Sequence, residues 1–112
     1  MKNIILATTT ALVIFSCGTA ENPATNPNNQ EALTEVKKEP KIKDAVITEA
    51  NVLYAAVDDD GTRRDGYAQY LCQVLAEHNS TVNWIKVVKY GSSNDPKADN
   101  AYGVLLGEAH CN

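Results

Sequence analysis

Val52-Leu53-Tyr54-Ala55-Ala56-Val57, followed at once by Asp58-Asp59-Asp60-Gly61, decides the fold of this chain. Six apolar residues ended by a cluster of turn formers are too few for a buried helix and match a largely buried strand. Behind Asp65, a residue type that caps helix starts, Tyr67, Leu71, Val74, Leu75 and His78 recur at helical spacing until the stripe ends near Asn79. A second β-branched and aromatic run, Thr81 to Tyr90, carries Val82, Trp84, Ile85, Val87 and Val88 and stops at Gly91-Ser92-Ser93-Asn94-Asp95-Pro96. Strand, helix and strand predict a parallel βαβ unit, because parallel strands need a long crossover and such crossovers are right-handed.

Toward the C-terminus, Tyr102, Leu105, Leu106 and Ala109 fit one face of a helix from about Asp99 to His110, with Gly103 and Gly107 four apart on a face that permits close packing. On the other side of the unit, Asp44 to Asn51 fits either a strand edge or one helical turn. The expected fold class is therefore α/β, a small βαβα domain over residues 44–112. Its two-stranded sheet leaves two open edges, which need a third strand from Asp44 to Asn51, a second copy or a partner.

The residues before this domain change character. From Gly18 to Lys43, Asn22, Asn26, Asn28 and Asn29 mix with Pro23, Pro27 and Pro40, and Lys37, Lys38, Lys41 and Lys43 alternate with glutamates. So few large apolar side chains cannot offset the entropy of ordering, so residues 17–43 read as a flexible tether. Gln30 to Lys38 has Leu33 and Val36 three apart, but a helix that short is marginal in water.

Lys2, the uncharged stretch Ile4 to Phe15 and the small residues Ser16, Gly18 and Ala20 follow the order of a secretory signal, placed at residues 1–16. Twelve residues span about 18 Å as a helix, short of the roughly 30 Å of a bilayer core. Ile14-Phe15-Ser16-Cys17-Gly18 resembles the lipobox of bacterial lipoproteins, with Phe15 bulkier than the residue usual there. The resemblance implies that Cys17 becomes the first mature residue, carrying a diacylglycerol on sulfur and an acyl chain on its amine. Two or three chains anchor stably where one is marginal. Gly18, rather than an aspartate, resembles lipoproteins sorted to the outer membrane. Gly18-Thr19-Ala20 also suits ordinary cleavage, which would give a periplasmic or secreted product beginning at Glu21.

The 112 residues are 44% apolar with a net charge of −4, which leaves room for one core and disfavours nucleic acid as a partner. Residues 44–112 alone hold ten acidic and five basic side chains, a balance that favours a cationic protein partner, with a homodimer as the other option. Of the three cysteines, Cys72 and Cys111 form an even pair in an exported chain and are expected to be disulfide-bonded. A catalytic thiol is disfavoured, since Cys72 sits well inside its helix, away from the N-terminal end that lowers a thiol pKa.

Three local arrangements carry chemistry. Arg63 and Arg64 precede a helix start at Gly66, where unpaired N–H groups and two guanidinium groups make a candidate anion site; their alternative is pairing with Asp58 to Asp60. Placing Gly61 at the turn glycine of an EF-hand loop puts Ala56 and Tyr67 at its essential ligand positions, which leaves only Asp58, Asp60 and Asp65 for some other calcium loop, or a solvated acidic turn. His78 and His110 are too few for a histidine zinc site, and Tyr54, Tyr67, Tyr70, Tyr90, Tyr102 and Trp84 serve to fill space or to line a ligand surface. Neither a cofactor nor a metal is called for, and no nucleophile stands beside a base. The first reading is a non-enzymatic, lipid-anchored envelope protein with an interaction module. The others are a small-anion binder or enzyme at the Asp58 to Gly66 loop, and a structural surface lipoprotein.

Overall fold

The structure, a computed structural model, describes residues 22–92 and 102–111. Cys17, the signal stretch and the alternative cleavage point at Ala20 lie outside the described residues. A 3-10 turn, Pro23–Thr25, leads into helix α1, Pro27–Lys37, and then strands β1, Asp44–Ile47, and β2, Val52–Val57. Helix α2, Asp65–Glu77, strand β3, Trp84–Lys89, and strand β4, Leu105–His110, complete the order. The four strands form one sheet in the order β1-β2-β3-β4.

The central β2–β3 pair is parallel, in register from Val52 opposite Trp84 to Val57 opposite Lys89, with α2 as its crossover. β1 joins β2 antiparallel through a tight turn at Thr48–Asn51, where Asn51 adopts φ 64°. The ambiguous Asp44 to Asn51 stretch is thus a strand and a turn. Alternation along the strands separates two faces. Leu53, Ala55, Val57, Ile85 and Val87 point to the helices and join Ala68, Leu71 and Leu75 of α2 in the main core. Val52, Tyr54 and Val88 form a smaller cluster on the opposite face with Val46, Ala56 and Trp84.

Two expectations are corrected. The final element is not a helix from Asp99 to His110: Leu105–His110 is a strand, antiparallel to β3 with Trp84 opposite His110 and Val87 opposite Gly107. The reason is tertiary. The free edge of β3 carries backbone donors and acceptors that need partners, while Gly103 and Gly107 weaken any helix through this stretch. Asp99 to Ala101 lie outside the described residues.

The second correction concerns the tether, since its residues 22–43 fold onto the domain. Asn26 caps α1 by accepting from the Asn28 and Asn29 N–H groups at 2.8 and 3.1 Å, and Pro27 occupies the first turn, where its missing N–H costs nothing. Ala32 and Val36 of α1 are fully buried in the main core, and Leu33 and Ile42 pack beside them. Burying a side chain such as Val36 contributes about 1.5–3 kcal/mol, which the isolated segment lacks and docking supplies. Asn29, also fully buried, locks the contact. Its amide donates to the Pro23 carbonyl and Thr81 Oγ1 at 2.9 and 2.8 Å, and accepts from the Ser80 hydroxyl and Thr81 N–H at 2.7 and 2.9 Å. Two donors and two lone pairs are the full capacity of that amide.

Cys72 of α2 and Cys111, directly after β4, are disulfide-bonded with their Cα atoms 5.4 Å apart. The bond closes a loop of 39 residues, which in the chain-entropy account is worth about 4 kcal/mol. The described residues thus form a small mixed α/β domain of four strands and two α-helices with one disulfide.

Candidate functional site

The loop between β2 and α2 brings together the residues singled out from the sequence. Asp59 accepts the Gly61 N–H at 2.9 Å and Asp60 accepts the Thr62 N–H at 3.0 Å, and Gly61 takes φ 85°, a left-handed conformation that suits glycine. Hydrogen bonds from the Thr62 hydroxyl and N–H hold the Asp60 carboxyl below its ordinary range. These bonds shape the acidic turn.

The two arginines part ways. Arg63, exposed, lays its guanidinium on Asp65, with Nε and Nη2 at 3.0 and 2.8 Å from Oδ2. It does not pair with Asp58 to Asp60. Arg64 is 8% exposed; its Nη2 donates to the Asp58 carbonyl at 2.9 Å and stands 3.4 Å from Asp60 Oδ2. Gly66 is exposed with open space where a Cβ would project, so it does not join Arg64 in a buried pocket.

Asp65 was expected to cap α2 and does something else. The cap position falls on Arg64 without a side-chain hydrogen bond, and the Asp65 carboxylate reaches across to accept the Glu108 N–H of β4 at 2.9 Å. That bond, then the Arg63 fork, lowers the Asp65 pKa from its ordinary value. Next to it the Arg64 N–H donates to the Leu106 carbonyl at 3.1 Å. Loop and helix start therefore close the outer edge of β4. The approach is close enough that a Cβ on Gly107 would stand 2.3 Å from the Arg64 carbonyl carbon and 2.4 Å from the Asp65 nitrogen.

A cleft of about 330 Å³ opens where this loop faces the α1–β1 connection, lined by Pro40, Lys41, Lys43, Val57, Asp58, Asp60 and Arg64. It lies at the carboxyl end of β2, beside the parallel pair, the place where α/β sheets usually take ligands. Lys43 Nζ is 3.6 Å from Asp58 Oδ2, and Lys41 Nζ stands 5.6 Å from the centre of the Tyr67 ring. Tyr67 stacks on Tyr70, whose hydroxyl donates to Glu39 at 3.0 Å. Burial, then the Glu39 charge, pushes the Tyr67 pKa up to about 12 and keeps its hydroxyl a donor. Among the described residues, two buried side-chain polar atoms lack a hydrogen-bond partner: Arg64 Nε and the Tyr67 hydroxyl. An unpaired buried polar atom costs about 1–3 kcal/mol.

The other face of the sheet carries Tyr54, Trp84 and Tyr102. Lys86 Nζ lies 4.3 Å from the Trp84 ring centre and 5.8 Å from that of Tyr54. Trp84 Nε1 donates to Glu108 Oε1 at 2.9 Å, His110 stacks on the indole and Tyr102 rests against Tyr54. His78, at the end of α2, is 3.3 Å from Glu31 of α1. Among the described residues no group of three or more His, Cys, Asp or Glu side chains is arranged to hold a metal ion, and Asp58, Asp60 and Asp65 each have other partners.

Sequence reasoning missed Lys41 and Lys43 as cleft residues and Asn29 as a lock. The lysines sit in a stretch whose alternating charges read as solvated, and its place between α1 and the β1–β2 pair brings them to the loop. Asn26-Pro27 was the available signal for that helix, an N-cap residue followed by proline at the first helical position. The chain matches no known protein family, no curated protein and no solved structure.

Proposed function

We propose that this chain is a lipid-anchored protein of the bacterial envelope, attached through Cys17, whose disulfide-stapled α/β domain is an interaction module held at the membrane surface. One observation carries the reading: the partition of the three cysteines. Cys72 and Cys111 are bonded to each other, which fits an oxidising compartment and leaves Cys17 alone directly behind the apolar stretch Ile4 to Phe15. No helix among the described residues is long and apolar enough to cross a membrane, so the acyl chains of Cys17 would serve as the anchor.

The fold adds an orientation to this reading. The described chain begins at Asn22, five residues after Cys17, a separation of at most about 18 Å. Pro23 and α1 begin beside Thr81 and Asn51, at the amino ends of β2 and β3, because Asn29 bonds both Pro23 and Thr81, and Thr81 bonds Asn51. On this reading the amino end of the parallel strands lies nearer the bilayer than the cleft at their carboxyl end. The partner would be a soluble or periplasmic molecule, with a cationic protein favoured by the excess of acidic side chains.

Metabolic labelling with palmitate and detergent partition test the proposal. The wild-type chain should incorporate label and enter the detergent phase, while Cys17→Ala should do neither. A mature chain starting at Glu21 without lipid would overturn it.

A further inference from the structure

The cleft at the carboxyl end of β2 combines an excess of positive side chains with an unsatisfied buried donor. On a domain with more acidic than basic side chains, its wall gathers Lys41, Lys43 and Arg64 against Asp58 and Asp60, a local positive excess. Arg64 is more than nine-tenths buried, and its Nη2 is occupied by the Asp58 carbonyl and Asp60, but its Nε has no acceptor. One helical turn on, Tyr67, whose ring centre lies 5.6 Å from Lys41 Nζ, carries a second buried donor without an acceptor. Both unsatisfied groups are donors at neutral pH. What the cluster lacks is an acceptor with several oxygens.

We propose that this cleft binds a small phosphate-type oxyanion, which accepts from Arg64 Nε–H and is held by the ammonium groups of Lys41 and Lys43. The two lysines come from the connection between α1 and β1 and the arginine from the loop after β2; Lys43 is fixed beside the cleft by its own N–H bond to the Ala56 carbonyl at 2.8 Å. Arg63 is outside it, spent on Asp65. Free phosphate and a phosphorylated small metabolite share this chemistry. A lipid headgroup is disfavoured by the cleft's place at the end farther from the bilayer, a clause that rests on the Cys17 anchor, whereas the site itself does not.

The test is a titration of the full, ¹⁵N-labelled chain with inorganic phosphate at constant ionic strength, read at the Arg64 Nε–H resonance. The site predicts a saturable shift that chloride does not reproduce. Lys41→Ala with Lys43→Ala, both exposed positions, should raise the apparent Kd at least about tenfold, and Arg63→Ala should leave it unchanged. Absence of a saturable shift by about 50 mM phosphate would overturn the proposal, since weaker binding has no standing against ordinary screening. So would equal binding by the double-lysine variant, or loss of binding in Arg63→Ala. Because no membrane is present, failure here leaves the lipid-anchor reading standing, and failure of lipidation leaves this one.

Discussion

The two segments that flank the βαβ unit, Pro23–Lys37 and Leu105–His110, both dock onto it, yet they are held by different means. β4 is paired along β3, bonded at its outer edge by Arg64 and Asp65, and covalently tied through Cys111 to α2. α1 has no covalent tie; it is held by two small core side chains, Ala32 and Val36, their neighbour Leu33, and one buried amide, Asn29. The difference implies that the amino-terminal segment can open without the carboxy-terminal one. Lys43, whose N–H bonds the Ala56 carbonyl at 2.8 Å, would stay with the sheet in such an opening.

Replacing both Cys72 and Cys111 by alanine should cost about 4 kcal/mol in urea unfolding, the worth of the closed loop; a loss smaller than that of Asn29→Ala would invert the ranking of the two segments. Gly107→Ala should cost about 3 kcal/mol, because the backbone of Arg64 and Asp65 cannot yield to a methyl as a flexible side chain would. Asn29→Ala should cost about 2 kcal/mol by leaving the Thr81 N–H and the Ser80 and Thr81 hydroxyls short of a partner. Amide exchange should then speed up at Ala32 and Val36 while Ala109 keeps its protection. Uniform loss of protection would show that the segments form a single cooperative unit.

The smallest effect concerns pH. Asp65 has a folded pKa below its unfolded value, so its contribution is present above about pH 4 and is lost as pH falls through the lower folded value. Asp65→Ala should therefore flatten the acid side of the stability profile; an unchanged profile would mean that the clasp on Glu108 does not hold the β4 edge.

What was legible in the sequence was what local pattern determines. Val52 to Val57 and Thr81 to Tyr90 gave strands, Tyr67 to His78 gave the crossover helix, and the even pair Cys72 and Cys111 gave the disulfide. What was not legible depended on distant partners. Tyr102, Leu105, Leu106 and Ala109 fit a helix as well as a strand, and the unpaired edge of β3 decides between them. Asn29 reads as a loop residue until Ser80 and Thr81, over fifty positions away, come to meet it. At the candidate site, Arg64 was visible by its place before a helix, but its neighbours in the cleft came from a stretch with no apolar pattern of its own.

Intact-mass analysis of the chain isolated from whole bacterial cells, with thiol alkylation in the absence of reductant, tests the division of labour among the three cysteines in one measurement. The expected result is a mature chain beginning at lipid-modified Cys17 with Cys72 and Cys111 protected from alkylation. A chain beginning at Glu21, or full alkylation of Cys72 and Cys111, would contradict it.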